Sequence, residues 1–452
     1  MDMIQKILIA NRAEIAVRII RTCKKMGIQT VAVYSTADTN AYHVQLADQA
    51  VCIGKPASQF SYLHMNNLIE AACSTGCDAI HPGFGFLSEN ARFARLVQQC
   101  GLIWIGPKPE IIEKLGNKTA AKKTMQQAGI PIIQGSDGSV SMKDGKALAD
   151  ALGYPVIIKA VNGGGGRGMR IVNESPAFET SYAQAQREAT ACFGNGDLYV
   201  EKYIADPKHI EVQIAGDAYG HCVHFFERDC SFQIRNQKMI EEAPYEQLPS
   251  ATRQDLYEAA LRACRMVGYD SIGTVEFLLE NPNQFYFIEM NTRIQVEHPI
   301  TEMITGIDLV ELQITLADKK PMPYTQQDIH CYGHAMECRI NAEDMQKDLA
   351  PSPGKITFCN LPGGRGVRID SAMYTGYVIP PFYDSMICKL ITYGKNRKEC
   401  IDTMRLALEE TIVEGVPTNV WFHYQVLHDN VFLSGTYTTK FATAFLEQCQ
   451  EK

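Results

Sequence analysis

The chain has 452 residues, of which 46% are hydrophobic, and its 43 basic and 51 acidic residues give a net charge of −8. This composition argues against a disordered chain and against a protein that coats nucleic acid with a basic face. No apolar run approaches the ~18 residues of a membrane span, and the N-terminus has no secretory signal pattern, so we expect a cytoplasmic protein of about two to four domains.

The first part of the chain alternates between strand-like and helix-like segments. Residues 6–10 predict a buried strand, residues 13–26 a helix, and residues 30–34 a second strand. The alternation continues to residue 105, which predicts an open, mainly parallel α/β domain over residues 1–115. No G-x-G-x-x-G motif follows the first strand, so a dinucleotide site is not expected there.

A glycine-rich loop at residues 163–168 joins two predicted strands, at 154–159 and 169–172. The loop does not open a helix and lacks a G-K-[ST] sequence, so it fits neither a Rossmann site nor a Walker A loop. Its backbone amides, together with Lys159 upstream and Arg167 within it, predict a phosphate clamp on a mobile flap. The alternative is a flexible hairpin tip that binds nothing.

The strand-rich centre of the chain contains a predicted β-hairpin whose turn is Asn-Pro-Asn. In the expected register Glu276 lies opposite Glu289, and Leu278 lies opposite Phe287. Asn291 follows Glu289 by two residues and therefore projects from the same face. Two carboxylates and an amide oxygen on one face predict a site for hard cations that hold nucleotide phosphates. A solvated face, one register step away, is the alternative.

The segment after this hairpin carries Arg293, Gln295 and Glu297 at alternate positions. If the segment is extended, it presents a guanidinium, an amide and a carboxylate on one side. Arginine binds planar oxyanions in bidentate fashion, and a carboxylate beside a bound bicarbonate can act as a base. The alternative interpretation is a polar loop edge.

The last part of the chain contains short predicted strands, a Pro/Gly-rich stretch at 351–366 and a predicted helix at 397–410. The 15 cysteines of the chain are scattered and include no C-x-x-C pair. This usage is typical of reduced core thiols in a cytoplasmic protein, and it argues against a metal cluster or a set of disulfides.

Several segments closely resemble biotin carboxylases, members of the ATP-grasp superfamily, and the similarity spans almost the whole chain. The most specific segment is Met-Asn-Thr-Arg-Ile-Gln-Val-Glu-His-Pro at 290–299. The other segments that carry the resemblance are 9–12, 81–90, 163–169, 227–231, 301–303 and 351–356. The resemblance implies an α/β and α+β protein. Its three parts would be an N-terminal open parallel-sheet domain (1–115), an ATP-grasp centre (116–330) with a mobile glycine-rich lid at about 132–203, and a C-terminal mixed α+β domain (331–446).

The resemblance also implies roles for individual residues, carried over position by position. The residues that would bind ATP are Lys118, Lys159, Gly165, Gly166, Glu201, Lys202, Tyr203, Ile204, His209, Gln233, Asn236, Glu276, Leu278 and Glu289. The residues that would hold two Mg²⁺ or Mn²⁺ ions are Glu276, Glu289 and Asn291. The residues that would hold bicarbonate are Lys238, Arg293, Gln295, Val296 and Glu297. Biotin would be bound by Arg339 and Phe84. The catalytic residues would be Lys238, Arg293, Arg339 and the general base Glu297.

The implied function is ATP-dependent carboxylation of biotin by bicarbonate, through carboxyphosphate, as the first half-reaction of acetyl-CoA carboxylase and of fatty-acid synthesis. Biotin is normally attached within a Met-Lys-Met triplet, and the chain contains none. We therefore expect a separate biotin carboxyl carrier protein as partner, together with carboxyltransferase subunits, and a homodimer. The alternatives are a biotin carboxylase subunit of another acyl-CoA or pyruvate carboxylase, a different ATP-grasp ligase, and a non-catalytic nucleotide-binding scaffold.

Five positions depart from the usual pattern of the family. Asn236 stands where a histidine is common near the nucleotide, and Phe84 replaces a tyrosine beside the biotin region. Ala13 replaces a glycine, Ile234 replaces a basic residue, and Arg365 stands where an aromatic residue often helps the dimer contact. None of these changes removes a charged group that is central to the implied chemistry.

Overall fold

The computed structural model describes residues 4–161 and 168–450. Within these ranges, no helix is long and apolar enough to cross a membrane. Residues 163–167 of the glycine-rich loop, with the predicted phosphate contacts Gly165, Gly166 and Arg167, fall between the two ranges and so lie outside the described residues.

The N-terminal part is an α/β unit. Its strands and helices are β1 (Lys6–Ile9), α1 (Ala13–Lys25), β2 (Gln29–Ser35), α2 (Tyr42–Leu46), β3 (Gln49–Gly54), α3 (Met65–Ser74), β4 (Ala79–His81), α4 (Ala91–Gln99), β5 (Ile103–Trp104) and α5 (Pro109–Gly116). The strands form the predicted open parallel sheet, in the order β3-β2-β1-β4-β5. The sequence patterns did not predict β3, which is a largely exposed edge strand with only a short apolar run, residues 50–53.

A second unit surrounds the glycine-rich loop. Its elements, with the helix that precedes it, are α6 (Lys118–Gln127), α7 (Met142–Leu152), β6 (Val156–Ala160), β7 (Met169–Val172), α8 (Phe178–Phe193) and β8 (Leu198–Lys202). The strands form an antiparallel sheet in the order β7-β6-β8, so the loop joins two paired strands as predicted. Val156, Ile158 and Phe178 belong to an apolar core that is separate from the main one.

The centre of the chain is rich in antiparallel strands. Its elements are β9 (Lys208–Gly216), β10 (Cys222–Ile234), β11 (Gln237–Ala243), α9 (Ser250–Val267), β12 (Ile272–Asn281), β13 (Gln284–Asn291), α10 (His298–Thr305) and α11 (Leu309–Ala317). Helix α9 packs on β9 and β10 through an apolar cluster that includes Leu256, Ala260 and Ile214. This packing buries one face of the sheet, which leaves polar side chains of the other face to form the site.

The last part of the chain mixes short strands with helices. Its elements are β14 (His334–Asn341), β15 (Glu343–Asp344), β16 (Ala350–Pro351), β17 (Gly354–Lys355), β18 (Phe358–Asn360), β19 (Val367–Ser371), β20 (Val378–Ile379), β21 (Met386–Gly394), α12 (Arg397–Glu410), β22 (Ile412–Glu414), α13 (Val420–Val426), α14 (Asn430–Ser434) and α15 (Phe441–Gln450). The predicted helix at 397–410 is confirmed as α12, which begins where the Asn396 side chain accepts a hydrogen bond from the Glu399 amide. Helices α13 to α15 were not predicted.

The largest sheet combines central and C-terminal strands. It has eight antiparallel strands in the order β13-β12-β9-β10-β11-β14-β21-β19. Strand β11 pairs directly with β14, with Ile240 opposite Cys338, so the sheet continues across the predicted domain boundary at residue 330. This continuity places groups that are far apart in sequence on neighbouring strands.

The register of the β12–β13 hairpin is only partly as expected. Glu276 lies opposite Glu289, which confirms the predicted carboxylate pair. The predicted pairing of Leu278 with Phe287 is wrong, because the register shifts by one residue after Glu276. Phe287 therefore lies opposite Phe277, while Leu278 lies opposite Tyr286. The shift places one unpaired residue in β13, which is the signature of a β-bulge.

Candidate active site

A row of charged side chains crosses four strands of the eight-stranded sheet. Glu289 on β13 lies opposite Glu276 on β12, Glu276 lies opposite Glu211 on β9, and Glu211 lies opposite Arg228 on β10. Carboxylates that face each other across a ladder repel, so this row is stable only with cations beside it. Buried charges are likewise tolerated only when they are paired.

Lys238 on β11 supplies one of these cations. Its Nζ donates to Glu211 Oε2 at 2.6 Å, to Glu276 Oε1 at 3.1 Å and to Glu297 Oε1 at 2.6 Å. Strands β11 and β12 are three strand spacings apart, about 14 Å in a flat sheet, so the long lysine side chain bridges them. Burial alone lowers the pKa of Lys238, but the Cys230 thiol and the carboxylates outweigh it and raise this pKa well above its ordinary value. Lys238 therefore stays protonated and positively charged.

Glu297 stands at the start of α10 between two cations. Its Oε1 accepts from Lys238, and its Oε2 accepts from Arg339 Nη2 at 3.0 Å. Burial raises the pKa of Glu297, but Lys238, Arg339 and Arg228 together lower it well below its ordinary value. Arg339 is itself held by Glu241, whose Oε1 accepts from its Nε at 2.7 Å. The structure thus brings three predicted catalytic residues into one contact network.

Arg293 and Gln295 complete this network. The Arg293 Nη1 donates to Gln295 Oε1 at 2.8 Å, and the Gln295 Nε2 donates to Glu276 Oε1 at 3.0 Å. The expected extended segment is wrong in detail, because β13 ends at Asn291 and the chain turns at residues 296 and 297 into α10. The three side chains nevertheless reach one cluster, since Glu297 contacts Lys238 and Gln295 contacts Glu276.

The Val296 backbone is held by a residue on β21, which lies two strands beyond β11 in the sheet. Its carbonyl accepts a hydrogen bond of 2.8 Å from Lys389 Nζ on β21. Lys389 is completely buried and lies 3.2 Å from Glu14 Oε2 at the start of α1. The loop that carries the predicted bicarbonate contacts is therefore tied to the N-terminal unit.

The predicted metal ligands lie together on the same face. The Asn291 Nδ2 donates to Glu276 Oε1 at 2.7 Å, and Lys118 Nζ lies 3.2 Å from Glu289 Oε2. His209 Nε2 lies 3.0 Å from Glu276 Oε2. Burial raises the pKa of Glu276, yet Lys238 and His209 lower it well below its ordinary value, so this carboxylate is ionised. Opposed carboxylates with an amide group are a donor set that suits Mg²⁺ or Mn²⁺, and the residues therefore fit such ions.

The predicted nucleotide contacts occupy two places. Lys159 on β6 lies 2.8 Å from Glu201 Oε2 at the end of β8, inside the lid unit. Gln233 Nε2 lies 2.7 Å from His209 Nδ1 on the large sheet, next to Glu276. Lys202 lies at the end of β8 and its amide donates to the Gln134 carbonyl. One group of these residues therefore lies in the lid unit, and the other lies on the eight-stranded sheet.

The remaining predicted contacts lie on three separate segments of the chain. Tyr203 and Ile204 follow directly after β8, and the Tyr203 amide donates to the Pro155 carbonyl. Asn236 is exposed in the β10–β11 turn, where it and Arg235 both have positive φ angles, of 63° and 53°. Asparagine is one of the residues that tolerate this conformation. Phe84 is half-buried and packs against the apolar core around α1.

Several residues that contact the site were not predicted from the sequence. Arg228 has no exposed surface, and its guanidinium donates to Glu211 Oε1 at 2.6 Å and to Gln213 Oε1 at 2.8 Å. The alternation of Glu211 and Gln213 within an apolar strand was the available signal, because such polar positions need buried partners. Lys122 contacts Glu201, and its i,i+4 spacing from Lys118 on α6 predicts a shared helix face.

Comparison with known proteins places this architecture in a family. Residues 3–112 match the biotin carboxylase N-terminal domain, residues 117–325 the ATP-binding domain of the carbamoyl-phosphate synthase L chain, and residues 337–444 the biotin carboxylase C-terminal domain. The chain is 53% identical to a biotin carboxylase of Nostoc sp. over 437 residues, which is 96% of this chain and 98% of that protein. It is 51% identical to biotin carboxylase 1 of Bacillus subtilis over 98% of this chain and 99% of that protein.

Solved structures agree with these relatives. A complex of biotin carboxylase from Campylobacter jejuni has a TM-score of 0.96 and 46% identity, over 98% of this chain and 99% of that one. The biotin carboxylase domain of the Hydrogenobacter thermophilus 2-oxoglutarate carboxylase, a dimer with MgADP and bicarbonate, has a TM-score of 0.95 and 45% identity, over 99% of this chain and 98% of that one.

A three-stranded unit around the glycine-rich loop, an eight-stranded antiparallel sheet and the opposed carboxylates on that sheet are the features of an ATP-grasp enzyme, the class predicted from the sequence. The chain belongs to the biotin carboxylase family. The predicted function, an ATP-dependent ligase reaction on biotin, is confirmed at the level of this family.

Proposed function

We propose that this chain carboxylates biotin on a separate biotin carboxyl carrier protein, with ATP and bicarbonate as co-substrates, within acetyl-CoA carboxylase. The observation that carries the proposal is the setting of Glu297. Its two oxygens contact Lys238 and Arg339 at 2.6 and 3.0 Å, next to the opposed pair Glu276 and Glu289. A base, an oxyanion site and a metal-type carboxylate pair are thus adjacent.

Bicarbonate is held by the cations beside Glu297. Arg293 and Lys238 supply a guanidinium and an ammonium for the anion, with Gln295 and the Val296 backbone next to them. Once Lys238 also contacts the bound anion, its hold on Glu297 weakens, because the same positive charge is shared by more negative groups. The pKa of Glu297 then rises from its depressed value, so that Glu297 becomes a stronger base for the bicarbonate proton.

The deprotonated bicarbonate attacks the γ-phosphate of ATP. A bond forms from the bicarbonate oxygen to phosphorus, the bond to the bridging oxygen breaks, and carboxyphosphate and ADP result. Lys118 at the start of α6 and Lys159 on β6 of the lid unit neutralise the phosphate charges. Glu276, Glu289 and Asn291 would hold Mg²⁺ or Mn²⁺, which supplies charge neutralisation at the transferring phosphoryl group. Glu201 to Ile204, with Leu278, His209, Gln233 and Asn236, would line the nucleotide.

Carboxyphosphate then breaks down into CO₂ and phosphate. The phosphate takes the N1′ proton of biotin, and the resulting nitrogen nucleophile attacks CO₂. Arg339 stabilises the enolate-like form of biotin, and Phe84 lies on the biotin side. Closure of the lid, residues 132–203, excludes water that would destroy carboxyphosphate.

The test measures ADP release by the purified chain with ATP and Mg²⁺. The proposal predicts that release requires bicarbonate and rises further when free biotin is added. Turnover that needs an amine and not bicarbonate would identify a different ATP-grasp ligase, and nucleotide binding without turnover would identify a scaffold. Either result would overturn the proposal.

We further propose the assembly in which this reaction occurs. In this assembly a partner protein carries the biotin, and the carboxyltransferase subunits of the complex select the acyl acceptor. The match to biotin carboxylases of Nostoc sp. and Bacillus subtilis over 98% and 99% of their length supports a separate carrier. The similar Hydrogenobacter thermophilus domain forms a dimer, which supports a homodimer here. The proposal places this homodimer in the cytoplasm. An avidin blot tests the carrier: biotin on this polypeptide itself would contradict the proposal. Co-purification followed by a carboxylation assay identifies the neighbouring subunits and the acceptor. A complex that carboxylates pyruvate or another acyl-CoA would contradict acetyl-CoA carboxylase.

A further inference from the structure

Two thiols lie in contact on the sheet face opposite the charged row. The Cys222 Sγ, at the first residue of β10, lies 3.0 Å from the Cys264 Sγ on α9. This distance is shorter than an ordinary contact between two sulfur atoms. Both cysteines are free thiols in this structure, and neither contributes to the site described above.

The surroundings give the two thiols different properties. Cys264 has no exposed surface, and its Sγ packs close to Gly216 at the end of β9, where an added Cβ would lie 3.2 Å away. Cys222 is only partly buried, and its Sγ lies next to the Gly220 carbonyl in the turn before β10. A reagent from solvent therefore reaches Cys222 first.

The pKa shifts of the two thiols also favour reaction at Cys222 before Cys264. The Cys264 thiol donates to the Cys222 Sγ, and this hydrogen bond, with Arg265 nearby, lowers the pKa of Cys222. The same hydrogen bond and burial raise the pKa of Cys264 well above its ordinary value. An accessible sulfur with thiolate character beside a buried second thiol is the arrangement of an attacking and a resolving cysteine.

We propose that Cys222 and Cys264 form a reversible oxidation site that reacts with low-molecular-weight disulfides such as oxidised glutathione. The Cys222 thiolate attacks one sulfur of the small disulfide, the bond between its sulfurs breaks, and one thiolate leaves. Cys264 then attacks the Cys222 sulfur, and its proton passes to the departing thiolate, which leaves as the second small thiol. Two protein thiols are oxidised to one disulfide, and one small disulfide is reduced to two thiols. An excess of the small thiol reverses the reaction.

The cross-link would join α9 to the beginning of β10 and leave the charged row intact. Six residues of strand, about 20 Å, separate Cys222 from Arg228. A register irregularity between His224 and Glu227, with a positive φ of 67° at Phe226, interrupts the strand between them. We therefore expect bicarbonate-dependent ADP release to change by less than about twofold on oxidation.

The test treats the intact protein with oxidised glutathione, alkylates the remaining thiols, and maps the peptides by mass spectrometry. The proposal predicts a peptide joined through Cys222 and Cys264, formed before any other cysteine is lost. Cys264→Ser should instead accumulate a glutathione adduct at Cys222, and Cys222→Ser should leave Cys264 unmodified. Cys100→Ser, which removes an exposed thiol elsewhere, is the matched control and should behave as the parent protein.

Two results would overturn the proposal. In the first, both thiols of the parent protein remain open to alkylation at oxidant levels that modify the exposed Cys100. In the second, the parent protein accumulates the same stable glutathione adduct at Cys222 as Cys264→Ser, which would show that Cys264 does not resolve it. A tenfold loss of ADP release on oxidation, absent in Cys222→Ser, would contradict the separation from the charged row.

Discussion

Two buried clusters of charge lie along the eight-stranded sheet and differ in how their charges are balanced. The active-site cluster consists of Glu297, Lys238, Arg339, Glu211 and Arg228, and both oxygens of Glu297 contact a cation. The Lys389 cluster consists of Lys389, Glu14, Glu337 and Asp370 on β21, α1, β14 and β19. In the second cluster Arg368 pairs with Asp370 at 2.8 Å, whereas Lys389 is the main cation for both Glu14 and Glu337. The Glu337 oxygens accept no hydrogen bond from the described residues.

This difference decides which carboxylates are ionised. Burial raises the pKa of every carboxyl in both clusters, but the cations around Glu297 reverse the effect and lower its pKa well below the ordinary value. Burial outweighs Lys389 at Glu14, where the pKa is raised to about 7, and at Glu337, where it is raised well above the ordinary value. Each cluster also has a member that differs: the pKa of Asp370, which pairs with Arg368, is lowered to about 2, while burial raises the pKa of Glu211 despite Arg228 and Lys238. The cations beside each carboxylate, and not burial alone, therefore decide whether it is ionised.

Among the four changes that test this comparison, the largest effect is expected for Lys238→Met, which removes the ammonium shared by Glu211, Glu276 and Glu297. The loss of this cation should lower bicarbonate-dependent ADP release by about 10³-fold, since preorganised charge is the main source of rate in such sites. Lys398→Met removes a lysine whose side chain is 86% exposed and should leave the rate unchanged. A loss of less than tenfold in Lys238→Met would place the shared cation outside the mechanism.

A smaller effect is expected for Lys389→Met. The change removes the donor to the Val296 carbonyl and the counter-ion of Glu14, so ADP release should fall by about tenfold and stability by about 2–4 kcal/mol. The loss of stability should be smaller near pH 6 than near pH 8, because Glu14, whose pKa is raised to about 7, is protonated at the lower pH and leaves no unpaired charge. Denaturant unfolding at both pH values measures this, and an equal loss at both would contradict the difference between the clusters.

Glu14 itself should make stability depend on pH. Its pKa is raised to about 7 in the folded protein from an ordinary value of 4.5. The folded state therefore binds the extra proton, and the stability that Glu14 contributes at low pH is lost as pH rises through about 7. Glu14→Gln should remove this slope, which is worth at most about 3 kcal/mol. Unfolding of both proteins between about pH 5 and pH 8 measures it, and parallel curves would contradict the raised pKa.

The smallest effect is expected for Glu337→Gln. Glu337 lies opposite Glu241 on β11, and a protonated carboxyl at this place has nearly the shape and charge of the amide that replaces it. Stability should change by less than about 1 kcal/mol near pH 7, and ADP release by less than twofold. A loss of several kcal/mol, as expected for an ionised and paired carboxylate, would show that Glu337 carries a charge.

How far the sequence predicted this site depends on how local its contacts are. The Glu276–Glu289 pair was predictable because the two strands are joined by a short turn that sets the register. The bulge that moves Phe287 away from Leu278 was not, since alternation alone gives no sign of an unpaired residue. The N-terminal sheet was predictable from alternating strand and helix patterns, apart from its exposed edge strand β3.

Contacts between distant segments were beyond the sequence patterns. Arg228 meets Glu211 only because β10 pairs with β9, and Lys389 reaches Val296 only because β21 joins the sheet beyond β14. Such pairings depend on strand order, which no local periodicity encodes. The family resemblance supplied the predicted roles of Lys238 and Arg339, but it did not supply the cations that hold the remaining carboxylates.

The central claim is that Glu297 is the base whose proton affinity is set by Lys238 and Arg339. The most direct test compares Glu297→Gln with Glu280→Gln, an exposed position on β12, for ATP binding and for bicarbonate-dependent ADP release. We predict that Glu297→Gln binds ATP like the parent protein but loses turnover by about 10²–10⁴-fold, while Glu280→Gln retains both. Near-normal turnover in Glu297→Gln would contradict the claim.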